Sequence, residues 1–341
     1  MEVKPLYMAR ALQLARNGAG HVSPNPMVGA VIVGAGGNII GEGWHRLYGR
    51  GHAEVNAVAS VADRALLRDA TMYVTLEPCS HYGKTPPCAR LIIECGIPRV
   101  VVATLDPFEK VSGRGVAMLR EAGVEVEVGL MESEARELNR AFFTAHTLRR
   151  PFTMLKWAQS ADGYIDRHRN AGEPAERFST SLTAQAVHIM RSRFDAIMAG
   201  STTVAMDTPR LDVRHVEGKS PRPVILDRRG RLDASQPLLQ NPAAIYVGPE
   251  REGIKATVLP PAASNTELLH ALYAMGVTSL LVEGGKSVLD SFIADGLWDA
   301  CRIEIAPKLL GEEGAHRMKI PAASTVSSRQ AGKSLIIDLT R

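Results

Sequence analysis

A chain of 341 residues is too long for one ordinary hydrophobic core, and at about 150 residues per domain it divides into roughly two. Apolar residues make up 45% and charged residues 22%, near the averages of folded domains, which excludes wholesale disorder. The net charge of +4 and an aromatic content of only 5% suit an anionic small molecule at least as well as a nucleic-acid coat.

No apolar run approaches the roughly 20 residues of a membrane-spanning helix. The N-terminus carries Glu2, Lys4, Arg10 and Arg16 with no uninterrupted apolar stretch, so it does not read as a secretory signal. Four cysteines (Cys79, Cys88, Cys95, Cys301) make a poor disulfide framework in a chain this long. Thiols or metal ligands in a reducing compartment are expected, and with them a cytoplasmic location.

Leu6, Met8, Ala9, Leu12 and Ala15 trace one apolar helical face, which Asn17-Gly18 ends. Residues 28–33 and 39–40 read as strands about the turn 34–37. A helix over 53–67, a strand over 72–76, a helix over 89–95 and a strand over 100–104 follow. This alternation favours a partly parallel sheet covered by helices. A charged amphipathic helix is expected over 132–147, and Arg149-Arg150-Pro151 then breaks the pattern, so the domains are drawn as 1–148 and 149–341. The second segment opens with a strand over 153–159 and a turn at Asp162-Gly163. It continues with a helix over 182–193 and strands at 196–199, 224–226 and 245–247. A helix over 266–275, a strand at 280–282 and a helix after Gly285 complete a second α/β pattern.

Three side chains in the first segment form a metal-ligand pattern. His52 stands at a helix start, and Cys79 and Cys88 follow a strand. One imidazole and two thiolates are what a catalytic zinc takes when it keeps one position open for water. Glu54, two residues beyond His52, can face the same point without binding the metal and carry protons from water to a leaving amine. Singly, each residue has a bland reading: His-x-Glu arises by chance, and a buried cysteine is usually a small hydrophobe. Together, in this order and at strand-to-helix junctions, they favour catalysis. A structural zinc would close its shell with a fourth Cys or His; Cys95 lies within a helix beside Ile92 and Ile93 and is assigned to packing.

The His-x-Glu and Pro-Cys elements match zinc nucleobase deaminases, although eight residues rather than two separate the cysteines. His52-Ala53-Glu54, residues 75–81 (TLEPCSH) and 83–88 (GKTPPC), with 23–29 (SPNPMVG) and Gly43-Trp44-His45, closely resemble the deaminase half of the RibD family of bifunctional riboflavin biosynthesis enzymes. The long cysteine spacing is what that family shows. The resemblance implies a cytidine-deaminase-like α/β/α domain. It also implies Zn2+-dependent loss of the C2 amine from 2,5-diamino-6-(5-phosphoribosylamino)-4(3H)-pyrimidinone, with His52, Cys79 and Cys88 on the metal and Glu54 as proton shuttle. Asn25, His45, His81 and Lys84 would then read the pyrimidine and its ribose phosphate. Asn25, fixed between two prolines, is the best placed of the four.

The second segment resembles the family's reductase half, a dihydrofolate-reductase-like α/β domain, through 156–163 (KWAQSADG), 200–214 and Glu283-Gly284-Gly285. No Gly-x-Gly-x-x-Gly follows a strand, which argues against a Rossmann domain. The resemblance implies NADPH against Ala158, Thr203, Asp207, Gly285, Lys286, Ser287, Val288, Leu289, Asp290 and Ser291. It places Lys156, Arg191, Leu211, Arg214 and Glu283 at the substrate, the reaction being hydride transfer to ribose C1′ of 5-amino-6-(5-phosphoribosylamino)uracil. The family's Asp-Asp-Pro stands here as Asp207-Thr208-Pro209, and the proline after its double glycine is Lys286. Arg228, Arg229 or Lys286 can supply charge for the 2′-phosphate. Phosphorylated pyrimidines are thus the expected partners, with neither nucleic acid nor membrane, and the family implies a homo-oligomer. Three competing readings stand beside it: a deaminase with a non-reducing second domain, a zinc-stabilised interaction module without activity, and a nucleic-acid base deaminase, which would favour Cys-x-x-Cys spacing and a denser basic surface.

Overall fold

The computed structural model describes residues 3–80, 86–107, 112–170 and 172–341. The chain parts between Arg149 and Arg150 into two compact units.

The first unit runs α1 (Pro5–Ala15), β1 (Gly29–Val33), β2 (Ile39–Trp44), α2 (Ala53–Ala59), β3 (Thr71–Val74), α3 (Cys88–Glu94), β4 (Arg99–Val102), α4 (Arg114–Glu121), β5 (Glu125–Val128), α5 (Glu132–Leu138) and α6 (Arg140–Leu148). Its sheet has the order β2-β1-β3-β4-β5; β1 is antiparallel to β2 and β3, and β3, β4 and β5 are mutually parallel. The two-residue period of a strand splits the apolar side chains between two faces. Ile32, Met72, Val74, Val100 and Val102 pack with Ala57, Ile92 and Leu119 on one face. Val31, Val33, Tyr73 and Val101 pack with Met8, Leu12 and Ala135 on the other. Helices therefore cover both faces, the expected α/β/α layering.

Two expected helices are shorter than their apolar pattern. The helix over 53–67 stops at Ala59, because Ser60 turns its hydroxyl back to the Ala57 carbonyl and Asp63 caps a separate 3-10 segment, Arg64–Asp69. The helix over 132–147 breaks at Asn139, whose side chain leaves the helix to grip the backbone of Met27 at both N–H and C=O (2.8 Å each).

The second unit contains β6 (Phe152–Gln159), β7 (Tyr164–Arg167), α7 (Ser181–Arg191), β8 (Ala196–Gly200), α8 (Ser201–Asp207), β9 (Arg222–Leu226), β10 (Ile245–Val247) and β11 (Thr257–Leu259). It continues with α9 (Asn265–Ala274), β12 (Ser279–Val282), α10 (Lys286–Ala294), β13 (Ala300–Ile305), β14 (Gly314–Arg317), β15 (Thr325–Ala331) and β16 (Ser334–Thr340). One sheet has the order β11-β10-β9-β8-β12-β6-β13-β16-β15. The strands from β11 through β13 are parallel, and β16 and β15 close that end antiparallel. In such sheets ligands collect outside the carboxyl ends of the strands. There β8 runs into α8 and β12 runs through Glu283-Gly284-Gly285 into α10.

Candidate active sites

In the first unit, α2 starts at His52, its N-cap residue, and α3 starts at Cys88, preceded by Pro87. Cys79 lies on the segment leaving β3. Its backbone carbonyl accepts from Ala89 N, and its Sγ accepts from Cys88 N at 3.3 Å. Two helix starts and one strand end thus bring His52 Nδ1 to 3.6 Å from Cys79 Sγ and 3.4 Å from Cys88 Sγ. Zinc bonds of about 2.1 Å to nitrogen and 2.3 Å to sulfur at a tetrahedral angle would place these donors about 3.6 Å apart. The trio fits the ion. Among the described residues it is also the one group of His, Cys and carboxylate ligands gathered in this way.

The electrostatics agree. The Cys88 thiol and His52 hydrogen-bond to Cys79 and lower its pKa to about 4, while Cys88 is pushed up by sharing that bond and by burial. A thiolate favoured at Cys79 suits a divalent cation, which binds the deprotonated form. Glu54 is 3% exposed; burial, reinforced by the charge on Cys79, raises its carboxyl to about 7.

His45 lies at the end of β2, 2% exposed, with its ring edge-on to His52. Burial lowers its pKa, so the ring is neutral. Its Nδ1 faces the carbonyl of Gly51, which can only accept; Nδ1 therefore carries the proton, and Nε2 accepts from the Asn25 amide at 3.3 Å. That fixes which way Asn25 points. His81 and Lys84 lie outside the described residues. Asn139 is the contributor that sequence reasoning missed, since through Met27 it holds the loop that carries Asn25. A lone asparagine inside an otherwise helical stretch was the available signal.

In the second unit a cleft of about 1370 Å³ opens at the carboxyl edge of the sheet. It is lined by Lys156, Ala158, Arg191, Thr203, Asp207, Arg214, Glu283, Gly285, Lys286, Ser287, Val288 and Ser291 of the sequence-derived set. Leu289 is fully buried in the core, Asp290 pairs with Lys286, and Leu211 is buried with a left-handed backbone; none of these three lines the cleft. Lysine and arginine outnumber aspartate and glutamate ten to five along its wall, which suits phosphorylated ligands.

The cleft's charges are largely engaged. Arg191 binds Glu283 through two hydrogen bonds of 2.9 and 2.7 Å and donates to Asp212 O. Burial works against the Glu283 carboxylate, but Arg191 and Lys156 outweigh it and lower its pKa. Arg169 bridges Asp166 and Asp207, and Arg214 holds Asp212. Arg228 binds Ala262 O and Asn265, whereas the exposed Arg229 guanidinium forms no ion pair among the described residues. Gly285 N donates to Thr203 Oγ1, and a Cβ at Gly285 would stand 3.1 Å from that hydroxyl. Backbone at the start of α10, the hydroxyls of Ser201 to Thr203 and the surplus positive charge form a cradle suited to a dinucleotide phosphate.

Residues 1–104 match the cytidine and deoxycytidylate deaminase zinc-binding region, and residues 151–331 match the RibD C-terminal domain. The riboflavin biosynthesis protein RibD of Aquifex aeolicus is 41% identical over 324 residues, covering 91% of this chain and 89% of that protein. The solved structure of Acinetobacter baumannii RibD superimposes with a TM-score of 0.89 at 34% identity, covering 98% of each chain. That of a diaminohydroxyphosphoribosylaminopyrimidine deaminase/5-amino-6-(5-phosphoribosylamino)uracil reductase from Thermotoga maritima gives 0.88 at 36% identity, again with 98% of each chain covered. With a deaminase site in one unit, a reductase domain in the other and this likeness along nearly its whole length, the chain belongs to the RibD family of bifunctional riboflavin biosynthesis enzymes.

Proposed function

We propose that the first unit hydrolyses the C2 amine of 2,5-diamino-6-(5-phosphoribosylamino)-4(3H)-pyrimidinone. The second then reduces the ribosyl group of the product to ribityl with NADPH. The observation that carries the reading is Glu54: a carboxyl that burial raises to about 7, beside a His/Cys/Cys set whose spacing suits zinc.

His52, Cys79 and Cys88 would hold a zinc ion, whose chemistry would be to make a water acidic enough to attack near neutral pH. Glu54, outside the ligand set and held near pH 7, takes a proton from the attacking water and returns it to the amine, so that ammonia departs as the neutral molecule. Asn25, its amide spent on His45, offers its carbonyl to the N–H edge of the pyrimidine. His81 and Lys84 complete the substrate contacts on the strength of their motif.

NADPH would supply the hydride in the second unit. Thr203, Gly285, Lys286, Ser287, Val288 and Ser291 would hold it with Ala158 and Asp207, and Arg229 has a free charge for the 2′-phosphate. Lys156, Arg214 and Glu283 face the substrate, while Arg191 keeps Glu283 ionised and aimed. The same reading places the enzyme in the cytoplasm, which suits four free thiols. Homo-oligomerisation is carried over from the family. No helix among the described residues is long and apolar enough to cross a membrane.

Stripping the metal with a chelator is expected to abolish ammonia release and to leave NADPH oxidation on the deaminated intermediate unchanged, with added zinc restoring the first step. Deamination at full rate by demonstrably metal-free protein would overturn the zinc reading.

A further inference from the structure

Glu77 belongs to the strand-end motif that delivers Cys79, yet no step of the chemistry above uses it. Its side chain is 4% exposed. Four backbone N–H groups converge on its carboxyl. Oε1 accepts from Gly115 (2.8 Å) and Val116 (3.2 Å), and Oε2 accepts from Gly113 (2.9 Å) and Asp106 (3.2 Å). Its own N–H donates to Thr104 O at the end of β4. This one residue therefore ties the start of α4 and the exit of β4 to the segment two residues before a metal ligand.

The tie is tight on the side facing Cys79. A Cβ built on Gly115 would lie 1.9 Å from the Pro78 carbonyl oxygen, so the first turn of α4 lies directly on the peptide joining Pro78 to Cys79. On the other side, α3 holds Cys79 through Ala89 N to its carbonyl and Cys88 N to its sulfur. Cys79 thus sits between two helix starts, one fixed by Cys88 and the other fixed by Glu77.

We infer that Glu77 is a positioning residue for the metal centre: its carboxylate, saturated by the amides at the start of α4, sets the Pro78 peptide and hence the place of Cys79 Sγ relative to His52 and Cys88. A ligand held at the wrong place binds its metal more weakly, and loss of such supporting bonds typically lowers metal affinity or activity by about 10–100-fold. The residue type matters. A carboxylate has only acceptors to offer four donors, whereas the amide of Gln turns two N–H groups on donors and cannot satisfy the same ring.

The inference rests on the zinc reading, and the test separates the two. In the full chain, zinc affinity is measured by competition with a chromogenic chelator, with ammonia release and NADPH oxidation followed on the same samples. Glu77→Gln is expected to bind zinc about tenfold or more weakly and to lose deamination in proportion, with NADPH oxidation on the deaminated intermediate kept. Glu77→Asp, which keeps the charge but shortens the reach, is expected to fall between wild type and Glu77→Gln and serves if the first variant does not fold. Wild type without zinc would sink the zinc reading itself. Zinc affinity within twofold of wild type in either folded variant, or failure of both to fold, would overturn the role of Glu77, since the residue would then be idle or merely part of the scaffold.

Discussion

Replacing Glu54 by glutamine is expected to lower ammonia release by about 10²–10⁴-fold, the range over which a positioned acid–base group contributes. The change keeps the shape of the side chain and removes only its ability to exchange a proton. Zinc content should stay at the wild-type level, because the glutamate lies outside the His52, Cys79 and Cys88 set. NADPH oxidation on the deaminated intermediate should also be unaffected. Stability should not suffer either. The carboxyl titrates near 7 in the folded protein against an ordinary 4.5, so the native state holds a proton that the unfolded chain gives up between these values. The metal-free wild type therefore loses stability as pH rises through that window, and Glu54→Gln is spared this part of the loss. Deamination within tenfold of wild type by Glu54→Gln would rule the residue out as the proton carrier.

The second large effect is expected at Arg191. Its guanidinium and the Glu283 carboxylate are both nearly buried, and each loses its hydrogen-bonded partner if the other is removed. Breaking such a pair costs about 3–5 kcal/mol, whereas exchanging both partners for apolar residues of similar volume is often neutral or stabilising. Arg191→Ala should accordingly lower the thermal transition of the second unit and cut NADPH oxidation by at least about 100-fold, with deamination unchanged. The double change Arg191→Met with Glu283→Met should recover the transition without recovering reduction. A double variant that reduces the intermediate at the wild-type rate would show that the pair supports the fold alone.

Much of this was readable in the sequence, and for physical reasons. The zinc set announces itself because metal chemistry admits few side chains and because ligand segments sit at helix starts and strand ends. The parallel strands are legible because burial on both faces demands continuous apolar runs such as Leu280 to Val282. What escaped was non-local or made of backbone. Glu77 is bound by amides 29 to 39 residues further along, which any residue type would offer. Asn139 grips Met27 across 112 residues, and Arg191 meets Glu283 across 92. Strand β15 went unseen because its polar residues lie exposed at the sheet edge, with no apolar alternation to mark a buried face. The arginine-rich cleft was the least legible part. Only the structure separates Arg191, already matched by Glu283, from the exposed Arg229 of the cleft wall.

The central claim is that one chain carries out two consecutive steps. It is tested most directly by giving the purified protein the diaminopyrimidine phosphoriboside together with NADPH and following ammonia and the near-ultraviolet absorbance of NADPH in one sample. Ammonia should appear first, and NADPH should then be consumed mole for mole with it. Ammonia release with no loss of NADPH, or NADPH consumption that runs ahead of ammonia, would contradict the account.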